Sequence, residues 1–327
     1  MTPDWLISID GKPVSSAALN KAGFGRLISA TITDNSGNEA DTIEFTIVRD
    51  PSMALPPVGA EIIGEFGYLE TGRESLGMFF LDKPGSSGST SGHTMRLTGT
   101  AADMSGSLKE QRTKSYDRKT VNAIVQEVAG RNGLTPRVSG SIGSITIPHI
   151  DQTQESDMNF LTRLAGDVGA TFKISDKDLL FVDRGTTKTA SGIQLPAIEL
   201  PRTISYEYEA GERENYKSVK ATWHDQEAAK RQEVVVGSGS PQKTLTKSYA
   251  TKDEAERAAK AALKDGNASG ERLKVTDVGN TAILAESKLT VPALVPEIGG
   301  DWTVQRAVHQ ISTSGYTTEA ECERVRE

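Results

Sequence analysis

Two early stretches alternate apolar and polar side chains with a period of two. In RLISATITD (26–34), Ile28, Ala30 and Ile32 alternate with Ser29, Thr31 and Thr33. In TIEFTIV (42–48), Ile43, Phe45 and Ile47 alternate with Glu44 and Thr46. Such alternation turns one apolar face inward and predicts two strands. The turn formers of DNSGNEAD between them predict a hairpin. EIIGEFGYLE and GMFFLDK continue the pattern, and HTMRLTGTAA closes it. The intervening PGSSGSTSG is expected to be a mobile hairpin tip.

After residue 105 the period changes. The basic run GSLKEQRTKSYDRKT (106–120), with Lys109, Arg112, Lys114, Arg118 and Lys119, is expected to be a solvated connector; its alternative is a contact for an acidic partner surface. Thr120 then suits an N-cap, Val121, Ile124, Val125 and Val128 follow at helical spacing, and Asn132-Gly133 is a stop signal. QTQESDMNFLTRLAGDVGATFKI (152–174) repeats the design. Ser156 is the expected cap and Asp157 favours the positive end of the helix dipole. Met158, Leu161, Leu164 and Val168 form the apolar stripe, with Phe160 at its edge, and Gly169 ends the helix. ATFKI and DLLFVDRG then read as a hairpin about SDKD.

From about residue 200 the strand texture returns. ISYEYEA and YKSVKATWHD alternate, and KRQEVVVGSGSPQKTLTKSYA reads as two strands around a Gly-Ser tip. TKDEAERAAKAALKDG predicts a helix over 252–265, with a Thr251/Glu254 capping box and a stop at Gly266. Its inner face, Ala255, Ala258, Ala259 and Ala262, is small enough to lie close to a sheet or a neighbouring subunit. ERLKVTDVGN, SKLTVPALV, DWTVQRAVHQIST and YTTEAECERV predict the closing strands. The fold class is therefore mainly β with an α+β insert: a β region over 1–105, the insert over 106–198, and a second β region over 199–327 that includes the helix.

Chemistry changes this picture little. Asp151, Glu155, Asp157 and Asp167 crowd one stretch beside His149. Asp157 serves the helix start, Glu155 precedes the cap and Asp167 lies near the other end, so the carboxylates do not converge as a catalytic pair must. His93, His149, His224 and His309 are scattered without zinc-site spacing. Cys322 is the single cysteine, so no intramolecular disulfide forms and a nucleophilic role for it is not expected. No catalytic, metal-ligating or cofactor-binding residue is expected, and no cofactor. The net charge of −7 argues against a phosphate-gripping nucleic-acid binder. Neither a secretory leader nor an apolar run long enough to span a bilayer is apparent.

Three stretches resemble the late control D family, the tail hub proteins of contractile-tail bacteriophages. They are KTVNAIVQEVAGRNGL (119–134), the Q-x-x-E-S-D, F-L-x-R-L and G-A-x-F elements of 152–172, and GGDWTVQRAVHQISTSGYTTEAECE (299–323). The resemblance implies that the two β regions are tube-like antiparallel barrels. It implies a homotrimer that presents six such barrels, with the hexameric tail tube protein on one side and a trimeric spike protein on the other. Other baseplate proteins and the tape measure protein are further implied partners. Sequence-specific nucleic-acid binding and a direct membrane span are not expected. The implied setting is the virion tail baseplate, assembled in the host bacterial cytoplasm, where the hub lets DNA pass on infection. An acidic channel lining is an accompanying expectation. The alternatives are a tail-associated cell-wall hydrolase, and the hub or spike base of a type VI-like secretion system or phage-tail-like bacteriocin.

Overall fold

The alternation folds as antiparallel sheet in the computed structural model, which describes residues 1–16, 27–37, 39–90, 92–101, 107–175, 177–183, 197–200, 205–210, 216–225, 230–268, 271–293 and 295–324. The first strands are β1 (Pro3–Ile9), β2 (Lys12–Ser16), β3 (Leu27–Asn35), β4 (Thr42–Val48), β5 (Glu61–Tyr68), β6 (Gly72–Ser89) and β7 (Gly92–Thr100). The middle segment holds β8 (Gln111–Thr120), α1 (Val121–Arg131), β9 (Thr135–Val138), α2 (Gly140–Gly143), β10 (Thr146–Ser156), α3 (Asp157–Val168), β11 (Ala170–Ser175) and β12 (Asp178–Asp183). Then come β13 (Ile198–Glu199), β14 (Ser205–Ala210), β15 (Ser218–Asp225), β16 (Lys230–Gly237), β17 (Gln242–Tyr249), α4 (Lys252–Ala268), β18 (Glu271–Val278), β19 (Lys288–Val291), β20 (Gly300–Ser312) and β21 (Gly315–Arg324).

The strands before the middle segment and, apart from β15–β17, those after it share one sheet of 13 strands. Its main path runs β14-β18-β21-β20-β3-β4-β7-β6-β5-β1-β2, with β19 joining β20 and β13 joining β19. The pairing of β20 with β3 welds the early and late regions together. Two cores lie beneath the sheet. Trp5, Ile32, Phe45 and Phe66 fill the first, to which Ile311 and Tyr316 are contributed from the C-terminal hairpin. Trp302, Leu289, Val304 and Leu273 fill the second.

Several elements differ from the sequence expectation, each for a local reason. PGSSGS (84–89) is not loop: β6 continues through Ser89 and pairs with β7 as far as Ser89↔Gly92. Serine and glycine are poor strand formers, but β7 supplies the ladder partner that overrides propensity. Ile28 points outward and Leu27 inward, because a bulge between Leu27 and Ser29 shifts the alternation by one residue. The basic run is no connector; it is β8, paired with β10. β16 and β17 are the two strands expected around the Gly-Ser tip, but they do not pair with each other, since β15 lies between them, antiparallel to one and parallel to the other. This small sheet carries its own core of Val219, Ala221, Ala255 and Ala259 under α4. The alanine face of α4 thus packs on its own sheet, and α4 also packs beside α3, where Ala261 closely approaches Gly169. The helix runs past Gly266 to Ala268.

The two helices of the middle segment begin as their sequences dictate. Thr120 Oγ1 accepts from Ala123 N and Ser156 Oγ from Asn159 N. Gly169 ends α3 in the left-handed region at φ 72°, which only glycine adopts cheaply. Phe160 is not at the edge of the stripe. It is fully buried and stacks on Tyr116 at 5.3 Å between ring centroids. The expected boundary at 105/106 lies outside the described residues.

Candidate assembly surfaces

The acidic stretch that opened a catalytic possibility is dispersed by the fold. Asp157 does more than complement the helix dipole. Its carboxylate is wholly buried and accepts from Arg131 Nε at 2.7 Å, from Arg131 Nη2, from Asn132 Nδ2 at 2.8 Å and from Gln152 Nε2 at 2.8 Å. Burial alone would push its carboxyl up, but these donors outweigh it and hold Asp157 below its ordinary value. Glu155 pairs with Arg163 at 2.7 Å, and Asp167 pairs with Lys247 at 2.5 Å. Asp151 accepts from Ser115 and faces His149 Nε2 at 3.1 Å, while Asp117 faces His149 Nδ1 at 2.6 Å. The two carboxylates therefore sit on opposite edges of one imidazole and cannot converge on an ion. Among the described residues no group of three or more His, Cys, Asp or Glu side chains is placed to hold a metal. Hydrogen bonds to the carboxylates of Asp117 and Asp151 raise the pKa of exposed His149.

The basic run is likewise partly paired where it stands. Lys119 pairs with Glu127 at 2.8 Å, Lys114 also pairs with Glu127, and Arg112 pairs with Glu110 at 2.7 Å. Cys322 is buried, and burial pushes its thiol up to about 12. His309 is buried between Tyr316 Oη, Thr318 Oγ1 and the Ile283 carbonyl, and desolvation lowers its pKa to about 4. It is a core histidine that ties the C-terminal hairpin to the 280–287 loop.

A buried ionic cluster joins the middle segment to the sheet. Lys173 of β11 pairs with Asp34, stands 3.0 Å from Asp41 and donates to the Asn35 carbonyl at 2.9 Å. Asp34 also accepts from Ala285 N at 2.8 Å. One lysine thus engages the β3–β4 turn and, through Asp34, the 280–287 loop. Nothing in the spacing of Asp34, Asp41 and Lys173 foretold this.

What remains for function is surface. Opposite the cores, one face of the sheet is polar from β14 to β6. Ser29, Thr31, Thr42, Thr46, Thr94 and Thr98 occupy its middle, by register and burial. Its charges are paired across strands: Lys274 with Glu319 at 2.9 Å, Arg306 with Glu321 at 3.1 Å, and Arg96 with Glu44 at 2.8 Å. With Lys83, Arg272, Glu207, Glu209 and Glu323 added, this face is close to neutral. The net −7 of the chain is not concentrated on it.

Two edges of this ribbon have no further strand partner among the described residues. There β14 pairs with β18 alone. The outer half of β6, Lys83–Gly88, pairs with β7 alone, because β5 leaves β6 after Phe80. Both edge segments are largely exposed. Such unpaired N–H and C=O rows are templates for another strand.

Comparison with known proteins shows the family. The family described as phage tail baseplate hub (GPD) matches residues 79–315. The probable baseplate hub protein of Escherichia phage P2 is 30% identical over 99% of this chain and 93% of its own length. The 43 kDa tail protein of prophage MuSo2 from Shewanella oneidensis shares the fold, with a TM-score of 0.74 at 12% identity over 99% of this chain and 98% of that one. An Escherichia coli component of the type VI secretion system does so with a TM-score of 0.63 at 10% identity, over 98% of this chain and 77% of that one.

Proposed function

The chain belongs to the phage tail baseplate hub family, and from that premise we propose that three copies close a ring by joining the β6 edge of one to the β14 edge of the next. The observation that carries this reading is the polarity of the ribbon. Every step from β14 through β18, β21, β20, β3, β4 and β7 to β6 is antiparallel. The terminal strands therefore run in opposite senses, so copies related by rotation meet β6 to β14 antiparallel and continue the alternation around the ring. Head-to-tail contacts of this kind close when the rotation allows.

In this ring the regions 1–105 and 199–327 act as two tube-type modules per chain, and 106–198 is the insert between them. Three chains then imitate a sixfold ring, which lets a threefold spike protein meet a sixfold tail tube protein. The polar, nearly neutral face lines the lumen in this reading. Its hydroxyls and ion-paired charges offer DNA no row of free cations to grip, which suits passage without retention. The dispersed and individually paired carboxylates support a structural and non-catalytic role.

Cross-linking tests the ring. Cysteine pairs with one member at Ser86 or Ser87 and the other at Tyr206 or Glu207 should give covalent species up to three chains and no larger on a non-reducing gel. A trimeric mass by light scattering with no cross-link from any of these pairs refutes the edge assignment. A chain that stays monomeric alone and with tube and spike proteins refutes the ring.

A further inference from the structure

The polar face of the ribbon is close to neutral as a whole, but its surplus charges sit at opposite ends. At the β14 end, Glu207 lies opposite Lys274 and Glu209 opposite Arg272. Lys274 and Arg272 lie in turn opposite Glu321 and Glu323 of β21. These six side chains line an open cleft of about 370 Å³, so four carboxylates face two cations there. Glu209 is exposed and has no ion-pair partner among the described residues.

At the β6 end the surplus is positive. Lys83 lies opposite Thr98 on the same polar face, is exposed, and has no ion-pair partner among the described residues. Arg96, also on that face, is held by Glu44. Within one chain, six strands part Lys83 from Glu209. In a ring that joins β6 to β14, the two become neighbours. The reverse faces of these edges also complement each other. Tyr206 and Tyr208 lie on the side of Val275 and Leu273, and Pro84 and Ser86 on the side of Leu97 and Met95. The bulk is on one edge and the small side chains are on the other. Tyr206 is 43% accessible.

The register follows from these facts. A seam must keep polar face with polar face, so Lys83, Gly85 and Ser87 stand on the side of Ser205, Glu207 and Glu209. Setting Lys83 opposite Glu207 would bring Glu209 to Leu81. That backbone is already taken, because Leu81 N donates to the Ala60 carbonyl and its own carbonyl accepts from Gly59 N. Sliding the other way, with Gly85 opposite Glu209, carries Lys83 past the end of β14. The register between these sets Lys83 opposite Glu209, Gly85 opposite Glu207 and Ser87 opposite Ser205. It also lays Tyr206 against Ser86 and Tyr208 against Pro84.

We infer that the seam is keyed in this one register, with Lys83 of one copy against Glu209 of the next as the pair that selects the contact. The inference rests on the ring reading above and names the residues that choose the partner edge, itself part of a second copy of this chain. Opposite charges directly across antiparallel strands attract, and like charges there repel. Such complementarity acts mainly by suppressing wrong pairings.

The test uses the full chain. Cysteine is placed at Gly85 together with one at Ser205, Glu207 or Glu209, and the protein is mildly oxidised. Directly opposed Cβ atoms come within reach of a disulfide and diagonal ones do not, so G85C/E207C should cross-link at least about fivefold faster than G85C/S205C or G85C/E209C. Separately, Lys83→Glu should lower the trimer formation constant by about thirtyfold, about threefold at each of three seams, in a dilution series followed by light scattering. K83E/E209K should recover most of that loss. Fastest cross-linking at Ser205 or Glu209, equal rates at all three, or a trimer indifferent to K83E overturns the keyed register. Those results with a trimeric wild type leave the ring standing. A wild-type chain that never becomes trimeric, alone or with tube and spike proteins, sinks the ring and this inference with it.

Discussion

Replacing Lys173 by methionine removes the cation that, among the described residues, the β3–β4 turn and the insert share. Methionine keeps much of the length and flexibility of the lysine stem, so packing is largely preserved. Two carboxylates then remain in a site where Asp34 and Asp41 are 13% and 9% accessible, without their counter-ion. Breaking a buried pair by removing one member costs about 3–5 kcal/mol, because the abandoned charge stays desolvated. The cost is pH-dependent with a definite sign. Burial, and then repulsion from Asp34, pushes Asp41 up from 3.8 to about 7 even with Lys173 present. A raised folded-state pKa means that protonation stabilises the fold. That contribution is complete below the ordinary value and is lost as pH rises through about 7. The wild-type junction should therefore tighten as pH falls from 8 toward 4. The K173M penalty should be greatest at pH 8 and shrink on acidification, as Asp41 takes up a proton. Hydrogen exchange by mass spectrometry reads this locally. After correction for intrinsic rates, amides of Asn35–Asp41 and of β11 should exchange about two to three powers of ten faster in K173M at pH 8, at ~1.4 kcal/mol per tenfold. Adding Asp41→Asn should restore much of the protection and flatten its pH dependence. A K173M effect below about threefold, or one that grows as the pH falls, refutes the assignment of the cluster as a junction.

The Asp157 network predicts a comparable loss, although its wild-type contribution has the opposite pH sense to that of Asp41. Arg131→Met should destabilise the middle segment by about 3–5 kcal/mol in chemical denaturation followed by hydrogen exchange of α1 and α3, and R131M/D157N should recover much of it. Because Asp157 is held below its ordinary value, its wild-type contribution is present above that value and fades as pH falls through the lowered one, whereas in R131M the buried carboxyl without its counter-ion takes up a proton at higher pH and the penalty shrinks from there. Gly169→Ala should cost about 1 kcal/mol, since φ is 72° there and alanine pays for the left-handed conformation, while its methyl meets Ala261 at 3.4 Å, an ordinary contact. A fully neutral G169A in the same exchange measurement would contradict the strain argument.

The periodic signals were legible because each is local. The alternation in TIEFTIV gave strand and inward face together, and Ile43, Phe45 and Ile47 are all buried. Thr120, Ser156 and Gly169 act at the helix ends as their residue types predict. The Thr251/Glu254 box forms with one variation: Glu254 reaches the amide of Ala250, one residue before the cap. The misses share one cause. PGSSGS became strand because β7 lies beside it, and β8 became strand because β10 does. Ile28 changed face through a bulge that pattern alone does not reveal. The ionic junction was invisible because its members are separated by 139 residues between Asp34 and Lys173, and only tertiary structure brings them together. The stretch 299–323 signalled kinship, but not that β20 would weld the two β regions into one sheet.

Edge chemistry connects these observations to assembly. A sheet that must pair with another copy cannot hide its edges, yet an exposed edge invites the wrong partner. Here the two free edges are unlike. β14 presents Glu207 and Glu209 among tyrosines, while the outer β6 presents glycines, serines and Pro84. Carboxylates resist self-pairing of β14 with β14, because like charges face each other in any antiparallel register that aligns them. Proline and glycine weaken β6 against itself, since proline lacks a ladder donor and glycine gives little side-chain packing. Neither obstacle applies equally to the mixed pair, in which the acidic strand meets one free of carboxylates beyond Asp82. A single mixed contact is short and weak on its own. Closing a ring converts the last contact into an intramolecular one, so the completed ring gains from effective concentration what each edge lacks alone. In the proposed ring the edge residues disfavour like-edge pairing, while closure of the rotation is what stops open-ended growth.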